Sequence, residues 1–381
     1  MKAVYFDSAA TTKVRNEVID AMTTVMRNEY GNASSTHSFG RSSKVLIEQA
    51  RKTIAKQLNV SAGEIVFTSG GTEADNLALQ CAIRDLGVTH IITSKIEHHA
   101  VLHTVEQLEK TCDIKVSYVK LDADGQVDYA DLELLLSTHG KTLVSLMFVN
   151  NEIGNILDVQ RVGNLCKANK ALFHCDAVQS VGHYELDLQQ VPIDFLAVSA
   201  HKFHGPKGVG FAFIRKNSGL KPLIFGGEQE RGIRAGTEAV HNIVGLEKAF
   251  TMAYANLETE RAYVLELKRY FMSELQQAFP DVVFNGLSGN LEKSTYTLLS
   301  VCLPFPPEKA LILLFQMDLK GIACSKGSAC QSGSSKGSHV LNEVLCETDM
   351  KKPSLRFSFS IYNTKEEIDY VMSVLMDFVK A

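Results

Sequence analysis

The sequence predicts an α/β fold, in which a large domain with a mostly parallel β-sheet covered by helices is joined to a smaller α+β domain. Apolar segments alternate with helical patterns from about residue 44 to residue 215, and near-continuous apolar strands are typical of a sheet buried on both faces. Helical patterns dominate from about residue 240 to 280, and the chain of 381 residues exceeds one small core. We place the large domain at residues 14–255 and the smaller one at residues 1–13 and 256–381.

Each predicted element follows from its own pattern. Runs rich in β-branched and aromatic residues predict strands. These strands are residues 64–68, 90–93, 116–119, 143–149, 171–174, 195–198 and 210–214, with 296–301 in the smaller domain. Helical spacing of apolar residues predicts a helix around residues 47–58, and the capping box at residues 364–367 begins the last helix.

Composition excludes several classes of function. The formal net charge is −4 with acids and bases interleaved, so no nucleic-acid partner is expected. No apolar stretch approaches the roughly 20 residues of a membrane span, and Asp7 interrupts any signal-peptide core, so no membrane partner is expected. The eight cysteines are dispersed without a CxxC pair, which indicates reduced thiols in a cytoplasmic protein.

Lys202 is the first candidate catalytic residue. It follows the apolar run 195–198 and enters a turn rich in glycine and proline. Burial and the nearby Lys207 would both favour the neutral amine, which is a nucleophile that can form a Schiff base. The alternative is an ordinary surface lysine before a turn.

Asp176 is the second candidate, because it ends the short apolar segment that begins at Phe173. The carboxyl ends of parallel strands meet at one edge of a sheet. A Schiff-base lysine and an aspartate on a neighbouring strand end are the pair that pyridoxal phosphate needs, one for its aldehyde carbon and one for its pyridinium nitrogen. The sequence therefore predicts pyridoxal 5′-phosphate as cofactor.

Two further motifs fall at the same predicted edge. Gly71 and Thr72 lie between a strand and a helix, where free backbone N–H groups can cradle a phosphate, although many helices begin this way. His98 begins the next helix, where its ring could stack on a flat cofactor. The alternatives are a solvated histidine, or a zinc pair of His99 and His103, for which no third ligand lies at a motif spacing.

Together these segments resemble the cysteine desulfurases, the NifS/IscS-like branch of the class V aminotransferases, along almost the whole chain. The matching segments are residues 5–12 (YFDSAATT), 30–34 (YGNAS), 67–73 (FTSGGTE), 97–98 (EH), 149–154 (VNNEIG), 176–180 (DAVQS), 199–202 (SAHK), 231–237 (RGIRAGT) and 355–358 (LRFS). The resemblance implies a pyridoxal-phosphate enzyme with the fold type I architecture of aspartate aminotransferase. It also implies the conversion of L-cysteine to L-alanine.

The resemblance assigns roles around the cofactor ring. Lys202 would bind the cofactor covalently and remove the Cα proton of the substrate. Asp176 would pair with the pyridinium nitrogen, and His98 would stack on the ring and help to move protons. Gln179 and Asn151 would hydrogen-bond the ring oxygen or hold the substrate nearby.

The remaining roles concern the phosphate, the substrate and a second subunit. The phosphate would be held by Gly71, Thr72, Ser199 and His201. Thr237 matches a threonine that reaches the phosphate of the other subunit, which implies a homodimer. Arg356 matches the arginine that binds the substrate carboxylate, a bidentate task suited to guanidinium.

Cys330 is the expected sulfur carrier, because residues 325–330 (SKGSAC) resemble the family's SSGSAC motif. Lys326 and Lys336 would favour its thiolate, and the Gly/Ser-rich run that follows is expected to be flexible. Cys330 would take the sulfur as a persulfide and pass it to an acceptor, such as an iron–sulfur scaffold or a sulfur relay protein for tRNA thiolation. The alternative is a buried structural thiol.

The match has departures, and two rivals stay open. Lys326 and Gln331 replace a serine and a threonine, the proline of the GNPxS segment is missing, and no glycine follows Ser360. Cys324 is an extra thiol, which we expect to end a strand. One rival is a selenocysteine or cysteine-sulfinate lyase on the same fold, which the intact GSAC motif disfavours. The other is a non-enzymatic metal or redox module that uses Cys324, Cys330 and His339.

Overall fold

The structure is a computed structural model, and it describes residues 3–137, 140–326 and 337–380. Its helices are α1 (Asn16–Asn28), α2 (Ser38–Gln57), α3 (Gly71–Leu86), α4 (His99–Thr111), α5 (Tyr129–Ser137), α6 (Val159–Ala168), α7 (Val240–Ala255), α8 (Leu257–Ala278), α9 (Pro307–Leu319), α10 (His339–Val344) and α11 (Lys365–Lys380). Its strands are β1 (Val4–Tyr5), β2 (Ile65–Thr68), β3 (His90–Thr93), β4 (Lys115–Tyr118), β5 (Thr142–Ser145), β6 (Leu172–Asp176), β7 (Phe195–Ser199), β8 (Gly210–Ile214), β9 (Val283–Phe284), β10 (Leu298–Cys302), β11 (Ile322–Ala323) and β12 (Ser354–Ser358).

The central sheet has the strand order β2-β8-β7-β6-β5-β3-β4. Strand β8 runs antiparallel to both of its neighbours, and the other neighbouring strands are parallel. Asp176 at the end of β6 pairs with Ala197 of β7, so the carboxyl ends of these two strands meet at one edge of the sheet. The predicted fold class, a mostly parallel sheet covered by helices, is confirmed.

Strand β5 ends four residues earlier than predicted. Leu146 and Phe148 still donate to backbone oxygens of β6, but the Met147 N–H between them donates to the buried Glu97 carboxylate at 2.8 Å. The Glu97 carboxylate therefore takes the place of a neighbouring strand as the hydrogen-bond partner of the Met147 N–H. Strand β4 begins one residue earlier than predicted, and β10 begins two residues later.

Both faces of the sheet are covered. Along β7, Leu196 and Val198 belong to an apolar cluster that also contains residues of α2 and α7. Phe195 and Ala197, which alternate with them, belong to a second cluster with residues of α3 and α4. Successive side chains of a strand point to opposite faces, so one apolar strand supplies both cores.

A third core lies around the smaller antiparallel sheet of order β12-β10-β9. Its aromatic centre joins Phe6 to Phe359 and Phe271 to Phe357, with ring centroids 5.5 Å and 4.9 Å apart. The N-terminal strand β1 pairs with β11, so the beginning of the chain packs with its last third. The division at residues 14–255 and 256–381 stays a prediction.

Two general expectations can be compared with the described residues. No helix in the described ranges is long and apolar enough to cross a membrane. The described cysteines, which are residues 81, 112, 166, 175, 302, 324 and 346, are all free thiols.

Candidate active site

One cavity of about 550 Å³ contains most of the predicted site residues. Its volume lies in the range of small-ligand pockets. Its lining includes Gly71, Thr72, His98, Asn151, Asp176, Gln179, Ser199, His201, Lys202 and Arg356. Thr237 lines a separate hollow of about 140 Å³, and Cys330 lies outside the described residues.

Lys202 is positioned by the end of β7. The strand ends at Ser199, and residues 200–202 form a single 3₁₀ turn. The Lys202 Nζ donates to the carbonyl oxygens of Ala9 and Ala10 at 2.5 Å and 2.9 Å. Gln179 Nε2 also donates to the Ala9 oxygen at 2.9 Å. The N-terminal segment is therefore a wall of the cavity that orients both side chains.

Asp176 is buried at the end of β6, where one of its oxygens accepts the Val178 N–H at 2.9 Å. Burial raises the pKa of Asp176 to about 6, although the Val178 N–H and the Lys202 cation oppose that shift. Near neutral pH the group is mainly a carboxylate with a cation nearby. A carboxylate in this state can pair with a protonated ring nitrogen.

Two more buried carboxyl groups, which the sequence did not indicate, lie near Asp176. Glu97 accepts the Ser94 hydroxyl at 2.6 Å and the Met147 N–H at 2.8 Å, and burial raises its pKa to about 8. Asp75 of α3 also lines the cavity, and burial raises its pKa well above the usual range. A helical aspartate one turn from an N-terminus is usually a solvated residue, so the pattern gave no signal.

His98 precedes α4 and caps it, because its Nδ1 accepts the Ala100 N–H at 3.1 Å. Burial lowers the pKa of His98 to about 4, with help from the Lys202 cation and from His339 and His103. The neutral ring accepts at Nδ1, so its proton lies on Nε2. The side chain can present a flat neutral face and one N–H donor.

The neighbouring histidines stack on one another. The rings of His99 and His103 lie 4.6 Å apart with an angle of 24° between their planes, and His99 and His339 lie 4.5 Å apart. Within residues 3–137, 140–326 and 337–380, no group of three or more His, Cys, Asp or Glu is arranged to hold a metal ion.

The N-terminus of α3 forms a cradle at one end of the cavity. Gly70 precedes the helix with φ of 153°, a conformation that other residues rarely adopt, and a Cβ on Gly71 would lie 2.4 Å from Val178 Cγ2. The first backbone N–H groups of a helix lack partners within it and favour an anion. Ser199 and His201 line the same cavity.

Arg356 of β12 is buried at the other side of the cavity. Its Nη1 donates to the Asn151 carbonyl oxygen and its Nη2 to Asp7 Oδ1, both at 2.8 Å. The same Asp7 oxygen accepts the Ser325 hydroxyl at 2.8 Å, and Arg356 Nε has no partner among the described residues. The sequence singled out the arginine but not its aspartate, because 349 residues separate them.

Cys324 directly follows β11, as predicted. Burial raises the pKa of its thiol to about 12, with a smaller contribution from Asp7. The group is therefore a neutral thiol near neutral pH, and only the thiolate is a strong nucleophile.

The segment that leads to Thr237 is fastened to the cradle. Arg234 Nε donates to Glu73 of α3 at 2.8 Å, and Glu73 also accepts the Ser69 N–H at 2.8 Å. Glu230 has a left-handed backbone with φ of 46°, and its buried carboxylate pairs with Arg51 at 2.6 Å. Thr237 itself is exposed and lines the separate hollow of about 140 Å³.

Comparisons with known proteins cover the chain from end to end. The family model for aminotransferase class-V proteins matches residues 4–371. The cysteine desulfurase IscS of Dictyoglomus turgidum is 41% identical over 376 residues, which are 98% of this chain and 94% of that protein. The solved structure of a NifS-like protein has a TM-score of 0.90 at 36% identity and covers 100% of both chains. The structure titled SspA in complex with cysteine has a TM-score of 0.81 at 31% identity, over 95% of this chain and 100% of that chain.

Proposed function

The chain belongs to the class V aminotransferase family and is a cysteine desulfurase, and from that premise we propose how its residues act. L-cysteine is converted to L-alanine with pyridoxal phosphate, and the sulfur passes as a persulfide on Cys330 to an acceptor protein. The observation that carries the proposal is the single cavity in which Lys202, Asp176, His98 and Arg356 meet.

The residues of the cavity fit pyridoxal phosphate. A helix N-terminus with Gly70 and Gly71 suits a phosphate, and the buried Asp176 suits a pyridinium nitrogen. The further phosphate ligands are Thr72, Ser199 and His201. Lys202 would hold the cofactor covalently, with His98 on the ring face and Gln179 at the ring oxygen. When bound, the cofactor supplies an electron sink for negative charge at the substrate Cα.

Substrate orientation is the task of Arg356. Its guanidinium is held by the Asn151 carbonyl oxygen and by Asp7, and its Nε has no partner among the described residues. A buried guanidinium that is fixed at two nitrogens is ready to bind a carboxylate with the remaining N–H groups. The substrate amino acid is thereby oriented with its Cα toward Lys202.

Proton movement belongs to Lys202 and His98. Lys202 Nζ takes the Cα proton of the substrate, and the neutral His98 ring can donate from Nε2. Cys330 Sγ then attacks the substrate sulfur. The S–S bond forms as the Cβ–S bond breaks, the electron pair stays on carbon, and protonation gives alanine.

The sulfur carrier is Cys330 rather than Cys324. The resemblance of residues 325–330 to the family motif supports Cys330. The pKa of about 12 for the Cys324 thiol, raised by burial, argues against that residue as a nucleophile. The acceptor is proposed to be an iron–sulfur scaffold or a sulfur relay protein.

The active form is proposed to be a cytoplasmic homodimer in which Thr237 reaches the partner's phosphate. In support, Thr237 is exposed and lines the hollow of about 140 Å³ and not the cavity of its own chain, and Phe225 in the preceding segment is 75% exposed. The adjacent Ile224 is 40% exposed, and contiguous exposed apolar surface often marks an interface. The free thiols of the described residues suit a reducing compartment.

The test is to incubate the cofactor-loaded protein with L-cysteine and with L-cysteine sulfinate, and to quantify alanine, sulfide and protein-bound persulfide. We expect alanine from L-cysteine in step with persulfide formation and slower turnover of the sulfinate. Faster alanine production from the sulfinate, with no persulfide from L-cysteine, would support the lyase alternative, which the comparisons do not favour.

A further inference from the structure

Three buried carboxyl groups lie close enough to influence one another electrostatically, and two of them, Asp75 and Asp176, line the cavity. Asp75, Glu97 and Asp176 are 1%, 2% and 7% exposed. Three buried anions that act on one another would repel strongly, so most of them must be neutral. Asp176 has the Lys202 cation nearby, whereas Glu97 has two hydrogen-bond donors.

Asp75 differs from the other two because an imidazole is its neighbour. Its Oδ1 lies 3.3 Å from His174 Nε2, and both side chains are almost completely buried. Apart from this contact, neither atom has a hydrogen-bond partner among the described residues. Among the described residues, Asp75 Oδ1 and His174 Nε2 are therefore each other's only polar contact.

His174 and Asp176 are two residues apart on β6 and so face the same side of the sheet. The other ring nitrogen of His174 lies 2.8 Å from the Ser145 hydroxyl of β5. The histidine is held between Ser145 of β5 and Asp75 of α3, on the same face of the sheet as Asp176. No role for Asp75 or His174 came from the sequence.

We propose that Asp75 and His174 form a neutral pair that holds one proton, with the Asp75 carboxyl O–H donating to His174 Nε2. Because the pair carries no net charge, the negative charge of this part of the site lies mainly on Asp176. This inference rests on the proposed function, in which Asp176 pairs with the cofactor's ring nitrogen. Both residues are positioning residues, since they act through Asp176.

The electrostatic directions agree with the geometry. Burial raises the pKa of Asp75, and Asp176 and Glu97 raise it further. Burial lowers the pKa of His174 to about 3. Other titratable or charged groups around the pair are Cys175, whose pKa is raised, and Lys202, which acts on Asp176. An Asp75 carboxylate with a His174 imidazolium would place two charges in a site where both side chains are almost completely buried, which is unfavourable.

The first test uses the cofactor-free protein and compares wild type with Asp75→Asn in urea unfolding between about pH 5 and about pH 8. The folded wild type keeps a proton on Asp75 that the unfolded chain loses above about pH 4. The Asp75 contribution to stability, read as the difference between wild type and Asp75→Asn, therefore falls as the pH rises, by about 10-fold in the unfolding equilibrium constant per pH unit. Asn keeps the shape and can donate to His174, so the variant should lack this component.

The control is Asp113→Asn, a substitution of the same type at an exposed position, and it should keep the wild-type pH profile. A profile for Asp75→Asn that is parallel to wild type would mean that Asp75 is ionised in the folded protein, which would overturn the proposal. Because these measurements contain neither cofactor nor substrate, failure of the proposed function would leave their result unchanged.

The second test reads the pair directly. The ¹⁵N chemical shift of His174 Nε2, assigned by its loss in His174→Gln, should be that of a neutral hydrogen-bonded imidazole from about pH 6 to about pH 8. An imidazolium shift would overturn the proposal. The affinity of Asp75→Asn for pyridoxal phosphate should lie within about 3-fold of the wild-type affinity. Asp75→Leu cannot donate a hydrogen bond to His174, and its affinity for pyridoxal phosphate should fall at least about 10-fold. Equal affinities for these two variants would also contradict the positioning role.

Discussion

Arg356 donates from Nη2 to Asp7 Oδ1 at 2.8 Å, and the same oxygen accepts the Ser325 hydroxyl at 2.8 Å. Arg356 also exchanges backbone hydrogen bonds with Ser325, at 2.6 Å and 3.1 Å. One carboxylate from the beginning of the chain therefore orients the proposed substrate arginine. It also fixes a residue five positions before Cys330.

Removal of Asp7 should weaken substrate binding more than catalysis. In Asp7→Ala, the Arg356 guanidinium keeps the Asn151 carbonyl oxygen as its one hydrogen-bond acceptor among the described residues, so we expect the KM for L-cysteine to rise by about 10-fold or more and kcat to change by less than about 3-fold. Asp7→Asn keeps an oxygen that can accept both hydrogen bonds, so its KM for L-cysteine should lie between those of wild type and Asp7→Ala. Steady-state kinetics with Asp113→Asn as control checks this, and an unchanged KM in Asp7→Ala would refute it.

Replacement of Lys202 should abolish turnover without unfolding the chain. Lys202 Nζ donates to the backbone oxygens of Ala9 and Ala10, and Lys202→Ala removes the nucleophile while the segments on which it lies stay paired in the sheet. We expect wild type, but not the variant, to retain cofactor after borohydride reduction and denaturation. The exposed Lys110→Ala serves as control, and cofactor fixed to Lys202→Ala at full occupancy would identify another lysine.

Lys268 should make stability depend on pH in the direction opposite to Asp75. It is 0% exposed in α8, where it donates to Ser294 Oγ at 2.8 Å and to the Thr295 oxygen at 2.7 Å. Burial lowers its pKa to about 7, against about 10.4 in an unfolded chain. Between these values the unfolded chain holds one more proton, so the contribution of Lys268 to stability rises with pH.

The measurement is urea unfolding of wild type and Lys268→Met at pH values from about 7 to about 9.5. Relative to wild type, the methionine variant should be most stable at the low end and lose this advantage as the pH rises. A constant difference between the two proteins across the range would show that Lys268 is charged in the folded state.

The shared-site dimer should be visible in solution. If Thr237 completes the phosphate site of a partner, Thr237→Ala should bind cofactor at least about 5-fold more weakly while it remains dimeric. Light scattering and cofactor titration measure the two properties, with Thr251→Ala on α7 as the control. A fully active monomer would rule out the shared site.

The sequence predicted those parts of the site that local pattern determines. Lys202 and Asp176 follow apolar strands whose ends meet in a parallel sheet, and Gly71 marks a helix N-terminus. Asp7 and Glu97 lie in segments that resemble the family but received no role, and Asp75 gave no signal, because each looks like an ordinary acidic residue until tertiary packing brings it against a distant partner. Strand β5 was predicted too long because the hydrogen bond from Met147 to Glu97 is invisible in a run of apolar residues.

The central proposal is sulfur transfer through Cys330, and the most direct measurement is mass spectrometry of protein treated with L-cysteine, with the added sulfur located by peptide. We expect the persulfide on the peptide that contains Cys330. Cys330→Ser should bind cofactor normally yet make little alanine and no persulfide, and Cys324→Ser should keep most of its activity. A persulfide found mainly on Cys324, or normal alanine production by Cys330→Ser, would contradict the proposal.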